Sequence, residues 1–388
     1  MKRDFIAVIG ATGFVGSALC ERLHAEERPF IACLRSPESA NRVARIATPI
    51  RIFDLLEFSQ VEAALKGCKV VVNCALGDEF ARSKGLKNLL TGAKKTGVEK
   101  IIHLSDMAIY GEDPDPESVS EKCRPTPMRE PTGVSKLKQD KLVLGLKDSG
   151  IATYILCPGN ITGPYSPFLR RLIERLCRGT MPLVDGGQNP SNVTHIDNLI
   201  EAILTAIDSN HGAGERYFVN ETEPIPWKRV FDDITRLTGI DCEYVDAKRE
   251  QVLQHLPEKK RSNGGLKSSA EVILSSKFRD QVTRLPMLGW MDRQAKKAYR
   301  QLPKMQRRAL REKLNWPIQI EAFPARPSLD DRFVKMQIKR YHHSPAKLQS
   351  TLGWIPPLNY EQGLEVTEAW LQFAGLDTRF ATSASRST

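Results

Sequence analysis

Three glycines stand three residues apart in the run Gly10-Ala-Thr12-Gly13-Phe14-Val15-Gly16. That spacing suits a phosphate-binding turn. Gly10 permits the tight turn, Gly13 lets backbone approach a pyrophosphate, and Gly16 lets the following helix pack close to the preceding strand. The amides at the start of such a helix, together with its dipole, then favour phosphate charge. Context makes the pattern specific: it follows an apolar run at residues 5–9 and opens a helical pattern. A second group lies at residues 33–36, Cys-Leu-Arg-Ser. An acidic residue at this place would hydrogen-bond a ribose 2′-hydroxyl. Arg35 can instead pair with a 2′-phosphate, and Ser36 can donate to it. These residues predict a bound dinucleotide, NADP(H) in preference to NAD(H).

The elements that must position these residues alternate at βαβ spacing. Apolar runs at 5–9, 30–34, 50–53, 69–73, 100–104 and 153–156 predict strands. Helical patterns fall at 17–23, 59–66 (with Ser59 as N-cap), 85–96 and 132–146. Such alternation implies an α/β fold, a doubly wound parallel sheet of Rossmann type with helices on both faces. Residues 112–130 and 158–167 read as loops. A basic helix follows through Arg178, and Arg170, Arg171, Arg175 and Arg178 share one broad face that either serves an anionic substrate or is simply solvated. A helix at 197–207 and a strand near 216–219 come next. His195, near a helix start, is expected to be a structural hydrogen-bonding residue.

The chain has 388 residues, 41% of them hydrophobic, enough for two domains or for one with a large insertion. No run of 18 apolar residues occurs. The opening residues lead into the Gly-rich turn, not a cleavage site, and read as a strand. Eight cysteines lie scattered without CxxC or metal-like spacing, which predicts reduced thiols, a cytoplasmic protein and no metal site. The net charge of +11 is concentrated: residues 248–350 hold 24 Lys/Arg and 9 Asp/Glu, against 33 and 37 elsewhere. Within that segment, Phe278, Leu285, Trp290 and other apolar residues are interleaved with Lys277, Arg279, Arg284 and Arg293. Residues 265–315 therefore suit an anionic membrane surface or an acidic partner, a cap over a lipid-like substrate, or helices with a solvated face. No nucleic-acid module accompanies the charge, so no nucleic acid is expected.

The chain resembles the extended short-chain dehydrogenase/reductases, the NAD-dependent epimerase/dehydratase group. Besides the glycine turn, Phe53-Asp54-Leu55 resembles the family's adenine-contacting segment, and Asn73-Cys74-Ala75 the segment under the ribose. His103-Leu-Ser105-Asp106-Met-Ala-Ile-Tyr110-Gly111 resembles the strand end that carries the catalytic Ser/Thr. Thr132-Gly-Val-Ser-Lys136 falls where the family has Tyr-x-x-x-Lys, and Pro158-Gly-Asn160-Ile-Thr-Gly163-Pro164 resembles the loop between cofactor and substrate. Residues 352–370 resemble the closing segment. Gly186-Gly-Gln-Asn leading into His195-Ile-Asp-Asn198 is similar to the 3β-hydroxysteroid dehydrogenase-like branch, and no Arg precedes it to clamp a sugar nucleotide. The resemblance implies a nucleotide-binding domain at 1–155 with a return at 194–220, and a substrate region from 156–193, 221–247 and 341–373. It leaves a basic helical insertion at 248–340 and a disordered tail at 374–388. Relatives often dimerise through helices equivalent to 85–96 and 132–146.

The departures bear on function. In the family, Tyr is the acid/base, Lys lowers its pKa and holds the ribose, and Ser/Thr binds the reacting oxygen. Here the Tyr position is Thr132 and the Ser/Thr position is Asp106, with Ser105 adjacent. A Thr hydroxyl does not titrate near neutrality. Two readings fit. In one, an oxidoreductase or epimerase/dehydratase acts on a hydroxy or keto compound, such as a sugar derivative or lipid-like alcohol. Asp106 or Ser105 then handles the substrate oxygen, and Lys136 holds the ribose. In the other, the chain is a non-catalytic NADP(H)-binding assembly subunit or redox sensor. A peripheral membrane enzyme on isoprenoid or steroid-like substrates is a variant of the first.

Overall fold

The computed structural model describes residues 4–75, 79–111, 120–127, 131–254, 329 and 331–376. Its central sheet has seven strands: β1 (Phe5–Ile9), β2 (Phe30–Leu34), β3 (Ile50–Ile52), β4 (Cys68–Asn73), β5 (Lys100–Leu104), β6 (Ala152–Pro158) and, much later in the chain, β10 (Glu215–Val219). Their order is β10-β6-β5-β4-β1-β2-β3, and every neighbouring pair is parallel. Parallel strands are covered on both faces, which is why the inner ones read as unbroken apolar runs. The order reverses between β1 and β4, and ligands of such sheets bind beyond the carboxyl ends of the strands at that reversal.

Helices α1 (Phe14–Ala25) and α6 (Ile196–Asp208) cover one face, where Leu19, Leu23, Leu199 and Ile203 pack with Val8, Ala32 and Val72. Helices α2 (Phe58–Leu65), α3 (Glu79–Thr96) and α4 (Pro131–Leu144) cover the other, with Val61, Leu89 and Val143 in the same core as Ile31, Val71 and Ile101. Each fully buried aliphatic side chain stabilises this arrangement by about 1.5–3 kcal/mol.

A smaller layer follows. Strand β7 (Asn160–Thr162) pairs with β9 (Val193–His195), and β8 (Thr180–Val184) with β11 (Glu243–Ala247). Helices α5 (Pro167–Leu176), α7 (Trp227–Thr238), α8 (Arg249–Gln254), α9 (Arg332–Met336), α10 (Ala346–Leu352) and α11 (Tyr360–Phe373) complete the described residues. Phe168, Trp227, Phe231 and Leu371 form the core between α5, α7 and α11. No helix among the described residues is long and apolar enough to cross a membrane.

Three sequence expectations are corrected. α2 begins at Phe58 after Glu57 with no side-chain cap, so Ser59 is not its N-cap. The stretch 158–167 is not all loop, because β6 runs to Pro158 and β7 follows. Arg175 does not share a solvated face with Arg170 and Arg171: it is buried against Asp331 and donates to the Thr180 carbonyl. Most of the basic insertion, including 265–315, and residues 377–388 lie outside the described residues.

Candidate active site

The turn between β1 and α1 is built for close approach. Gly10 has φ +78°, and a Cβ there would stand 3.0 Å from the Ala75 Cα and N. A Cβ on Gly16 would lie 2.2 Å from the Gly10 carbonyl oxygen, so α1 can start where it does only with glycine at that position. Gly13 is exposed, Thr12, Phe14 and Val15 are half-buried, and no side chain caps the first turn of α1. Uncapped amides beside a bare glycine fit the pyrophosphate of a dinucleotide. At the end of β2, Arg35 is exposed and has no hydrogen bond or ion pair among the described residues. Ser36 is half-buried, and its carbonyl accepts from Ser39. Asp54 folds back to accept from the Leu56 amide at 2.9 Å, and the Leu55 carbonyl accepts from Asn88 at 2.8 Å. Ala75 follows β4 beside Gly10, its amide donating to the Asn73 side chain. The fold thus gathers Gly10–Gly16 and Ala75 at the crevice.

At the end of β5, Lys136 is only 5% exposed, and its Nζ donates to the Leu104 carbonyl at 2.7 Å. Thr132, one turn earlier on α4, is exposed. The Asp106 carboxylate is half-buried and accepts from the Ala108 amide at 2.8 Å, capping the short helical turn Met107–Tyr110. Ser105 is buried beside the Asp140 carboxyl without a hydrogen bond of good geometry. On one strand face His103 and Ser105 alternate with Leu104, so both turn toward α4. Pro158 is buried, and Asn160 is held by donation to the Ser191 carbonyl at 2.7 Å. The Tyr110 phenol is 1% exposed, edge-on to Phe218 and tilted against His343, and burial pushes its pKa up.

Sequence reasoning missed the polar row behind this end of the sheet. Asn73 on β4, His103 on β5 and Arg216 on β10 share one lateral row, with Ile155 of β6 between the last two. Asn73 contacts the His103 Nδ1 at 3.1 Å. Asp140 of α4 descends onto the row: it accepts from the Arg216 Nε at 2.8 Å, and its other oxygen lies 3.9 Å from the His103 Nε2. Burial pushes the Asp140 carboxyl up, opposed by Arg216, and burial with the nearby Lys136 charge holds His103 well below its usual range, hence neutral. The available signal was Asp140 standing four residues after Lys136, on the same helix face.

Between α5, α7 and α11 lies a cavity of about 20 Å³, room for one water, lined by Phe168, Leu172, His195, Glu221 and Tyr360 among others. His195 caps α6 through Nδ1, as expected of a structural histidine. Burial pushes the Glu221 carboxyl up to about 7, although the His195 amide and Asn198 donate to it. The fold must therefore bury a charge above pH 7 that it does not bury below pH 4.5. Stability on the order of 3 kcal/mol, present at low pH, is lost as pH rises through that window. Glu221→Gln is expected to flatten this part of a urea-stability profile, matching wild type near pH 4.5 and exceeding it at pH 8.

Comparisons with known proteins agree with this fold. The model of the NAD dependent epimerase/dehydratase family matches residues 6–219. The 4-hydroxy-2-methyl-3-oxo-4-farnesyl-3,4-dihydroquinoline-1-oxide ketoreductase of Stigmatella aurantiaca is 26% identical over 248 residues, 61% of this chain and 74% of that protein. The decarboxylating sterol-4-alpha-carboxylate 3-dehydrogenase of Homo sapiens is 29% identical over 258 residues, 61% of this chain and 66% of that protein. Among solved structures, a dTDP-glucose 4,6-dehydratase from Bacillus anthracis in complex with NAD superposes with a TM-score of 0.63 at 18% identity, covering 95% of this chain and 96% of that one. With its family match spanning more than half its length on a sheet of this order, the chain belongs to the NAD dependent epimerase/dehydratase family.

Proposed function

We propose that this protein is an NADP(H)-dependent oxidoreductase acting on a hydroxy or keto group of an apolar, lipid-like molecule, with an acid–base set altered from the family's. The observation that carries this reading is Lys136, buried at the end of β5 with its Nζ on the Leu104 carbonyl. Gly10–Gly16 would hold the pyrophosphate, Asp54, Leu55 and Ala75 the adenosine side, and Lys136 the nicotinamide ribose. Arg35 and Ser36 would take the 2′-phosphate. When bound, the cofactor supplies or accepts the hydride. The substrate oxygen would sit among Ser105, Asp106 and Lys136, with Pro158 closing β6 and Asn160 opening β7 beside it.

An apolar substrate is supported by two relatives whose names carry a farnesyl group and a sterol. It is also supported by Asn189 and Asn192, which stand where a sugar-nucleotide enzyme would offer an Arg. Both donate instead to backbone carbonyls of the returning segment, those of Gln337 and Tyr341. A second reading, a cofactor-holding subunit without turnover, is favoured by exposed Thr132 and by the capping role of Asp106.

The test is NADPH oxidation by the full chain with 3-keto sterols and long-chain 3-oxo acids. Turnover is expected with at least one; binding of NADPH without turnover on any would favour the second reading. Arg35→Glu is expected to weaken NADPH binding by about 10–100-fold, the worth of a charge-assisted contact. NADH binding should change far less, and equal losses for both cofactors would remove Arg35 from the 2′-phosphate site.

A further inference from the structure

We propose that Arg42 and Tyr165 form a clasp across the cofactor crevice that sets how fast a bound nicotinamide dinucleotide leaves, with Trp370 backing the Tyr165 ring. The proposal rests on the proposed cofactor site and adds to it the residues that retain the cofactor once the glycine turn has taken its phosphates.

Tyr165 occupies a place that ordinarily goes to glycine. The Ser166 amide donates to the Gly163 carbonyl at 3.2 Å, closing a four-residue turn with Pro164 second and Tyr165 third. Tyr165 has φ +62°, the left-handed region that such turns reserve for Gly or Asn at the third position. Its ring stays out of the core that Phe168 joins three residues later, and the residue is 56% exposed. A bulky side chain held on a strained backbone and kept from the core points to a task for the ring. The turn beneath it is fixed. A Cβ on Gly163 would stand 2.7 Å from the His195 Nε2. The Ser166 hydroxyl donates to the Ile161 carbonyl at 2.6 Å and accepts from the Leu169 amide at 3.0 Å. The clasp therefore opens by rotation of side chains, not by movement of the turn.

Two side chains meet the Tyr165 ring. The Trp370 indole of α11 tilts against it, with ring centroids 5.5 Å apart. The Arg42 guanidinium lies over it, 4.7 Å from the ring centroid, where the negative face of the ring attracts a cation. Arg42 ends the short helical turn Pro37–Arg42, which starts from Ser36 as its cap.

The sheet gives this contact its meaning. Arg42 belongs to the segment that leaves the carboxyl end of β2, and Tyr165 to the segment that leaves β6. Three strands, β5, β4 and β1, lie between them, about 19 Å at the usual strand spacing. All run parallel, so their carboxyl ends share one edge, and on that edge the glycine turn follows β1, Ala75 follows β4 and Ser105 follows β5. The Arg42–Tyr165 contact thus joins segments from opposite sides of the crevice in which ligands of such sheets bind. One arm rises from the segment of Arg35 and Ser36, the proposed 2′-phosphate side. The other rises from the turn that follows β7. A dinucleotide held along this edge has to pass the pair to leave.

The test is displacement followed by stopped flow: the full chain is loaded with NADPH, chased with excess NADP⁺, and the loss of NADPH fluorescence is timed. Tyr165→Gly removes the ring and relieves the backbone, so it is expected to keep its unfolding midpoint while releasing NADPH about 2–30-fold faster, the range of a cation–π contact. Tyr165→Phe keeps the ring and should release at the wild-type rate. Should Tyr165→Gly fail to fold, Tyr165→Asn, which also accepts a positive φ, takes its place. Arg42→Gln opens the clasp from the other arm, and the double variant should release no faster than the faster of the two single ones. Wild-type release from Tyr165→Gly, fast release from Tyr165→Phe, or multiplied effects in the double variant overturns the clasp and leaves the cofactor site standing. A wild-type chain that binds no NADPH overturns both.

Discussion

Gly16→Ala is expected to damage both fold and cofactor binding, whereas Gly13→Ala is expected to damage binding alone. A methyl at position 16 meets the Gly10 carbonyl oxygen at 2.2 Å and its carbon at 2.8 Å, both main-chain atoms of a tight turn that cannot swing aside. Overpacking of this kind costs about 1–3 kcal/mol, and here it also pushes α1 away from β1, moving the phosphate-binding amides. At position 13 the backbone is extended, φ −72° and ψ 172°, and a methyl comes no closer than 3.3 Å to the Gly10 oxygen. Alanine is therefore tolerated by the fold, and its methyl projects where a pyrophosphate would lie. Urea unfolding and NADPH titration of the two variants should separate accordingly. If Gly13→Ala binds NADPH like wild type, the phosphates do not lie over that residue.

The second large effect is expected at the Arg216–Asp140 pair. Arg216→Met leaves a carboxylate with no solvent exposure and removes its 2.8 Å partner, which should lower unfolding free energy by about 3–5 kcal/mol. Replacing both ends, as in Arg216→Met with Asp140→Leu, should recover most of that loss, because an apolar pair carries no desolvation penalty. The four urea curves form a double-mutant cycle. Additive losses would mean that the two side chains do not act as a pair.

The parts legible in the sequence share a physical reason. Strands buried on both faces have only one way to be written, so Phe5–Ile9, Phe30–Leu34 and Lys100–Leu104 appear at the boundaries their apolar runs predict. The glycine turn is legible because no other residue fits, as the contacts of Gly10 and Gly16 make plain. Arg35 is legible as a surface cation after β2. What a sequence hides is lateral. Asp140 and Arg216 are 76 residues apart and meet because β10 joins the sheet beside β6, an event set by long-range pairing. Arg175 reads like its helical neighbours, yet Asp331 arrives from 156 residues away to bury it. Ser105 and Asp106 were ambiguous by one residue, and the strand's alternation separates them: Ser105 turns toward α4, and Asp106 caps the next turn.

The central claim, a nicotinamide dinucleotide held by the β1–α1 turn, is tested most directly by fluorescence titration of the full chain with NADPH and NADH beside Gly13→Asp. The account predicts saturable binding, tighter for NADPH, and none by the variant, whose carboxylate would face the phosphates. Binding of neither nucleotide by the wild type, or equal binding by Gly13→Asp, would contradict it.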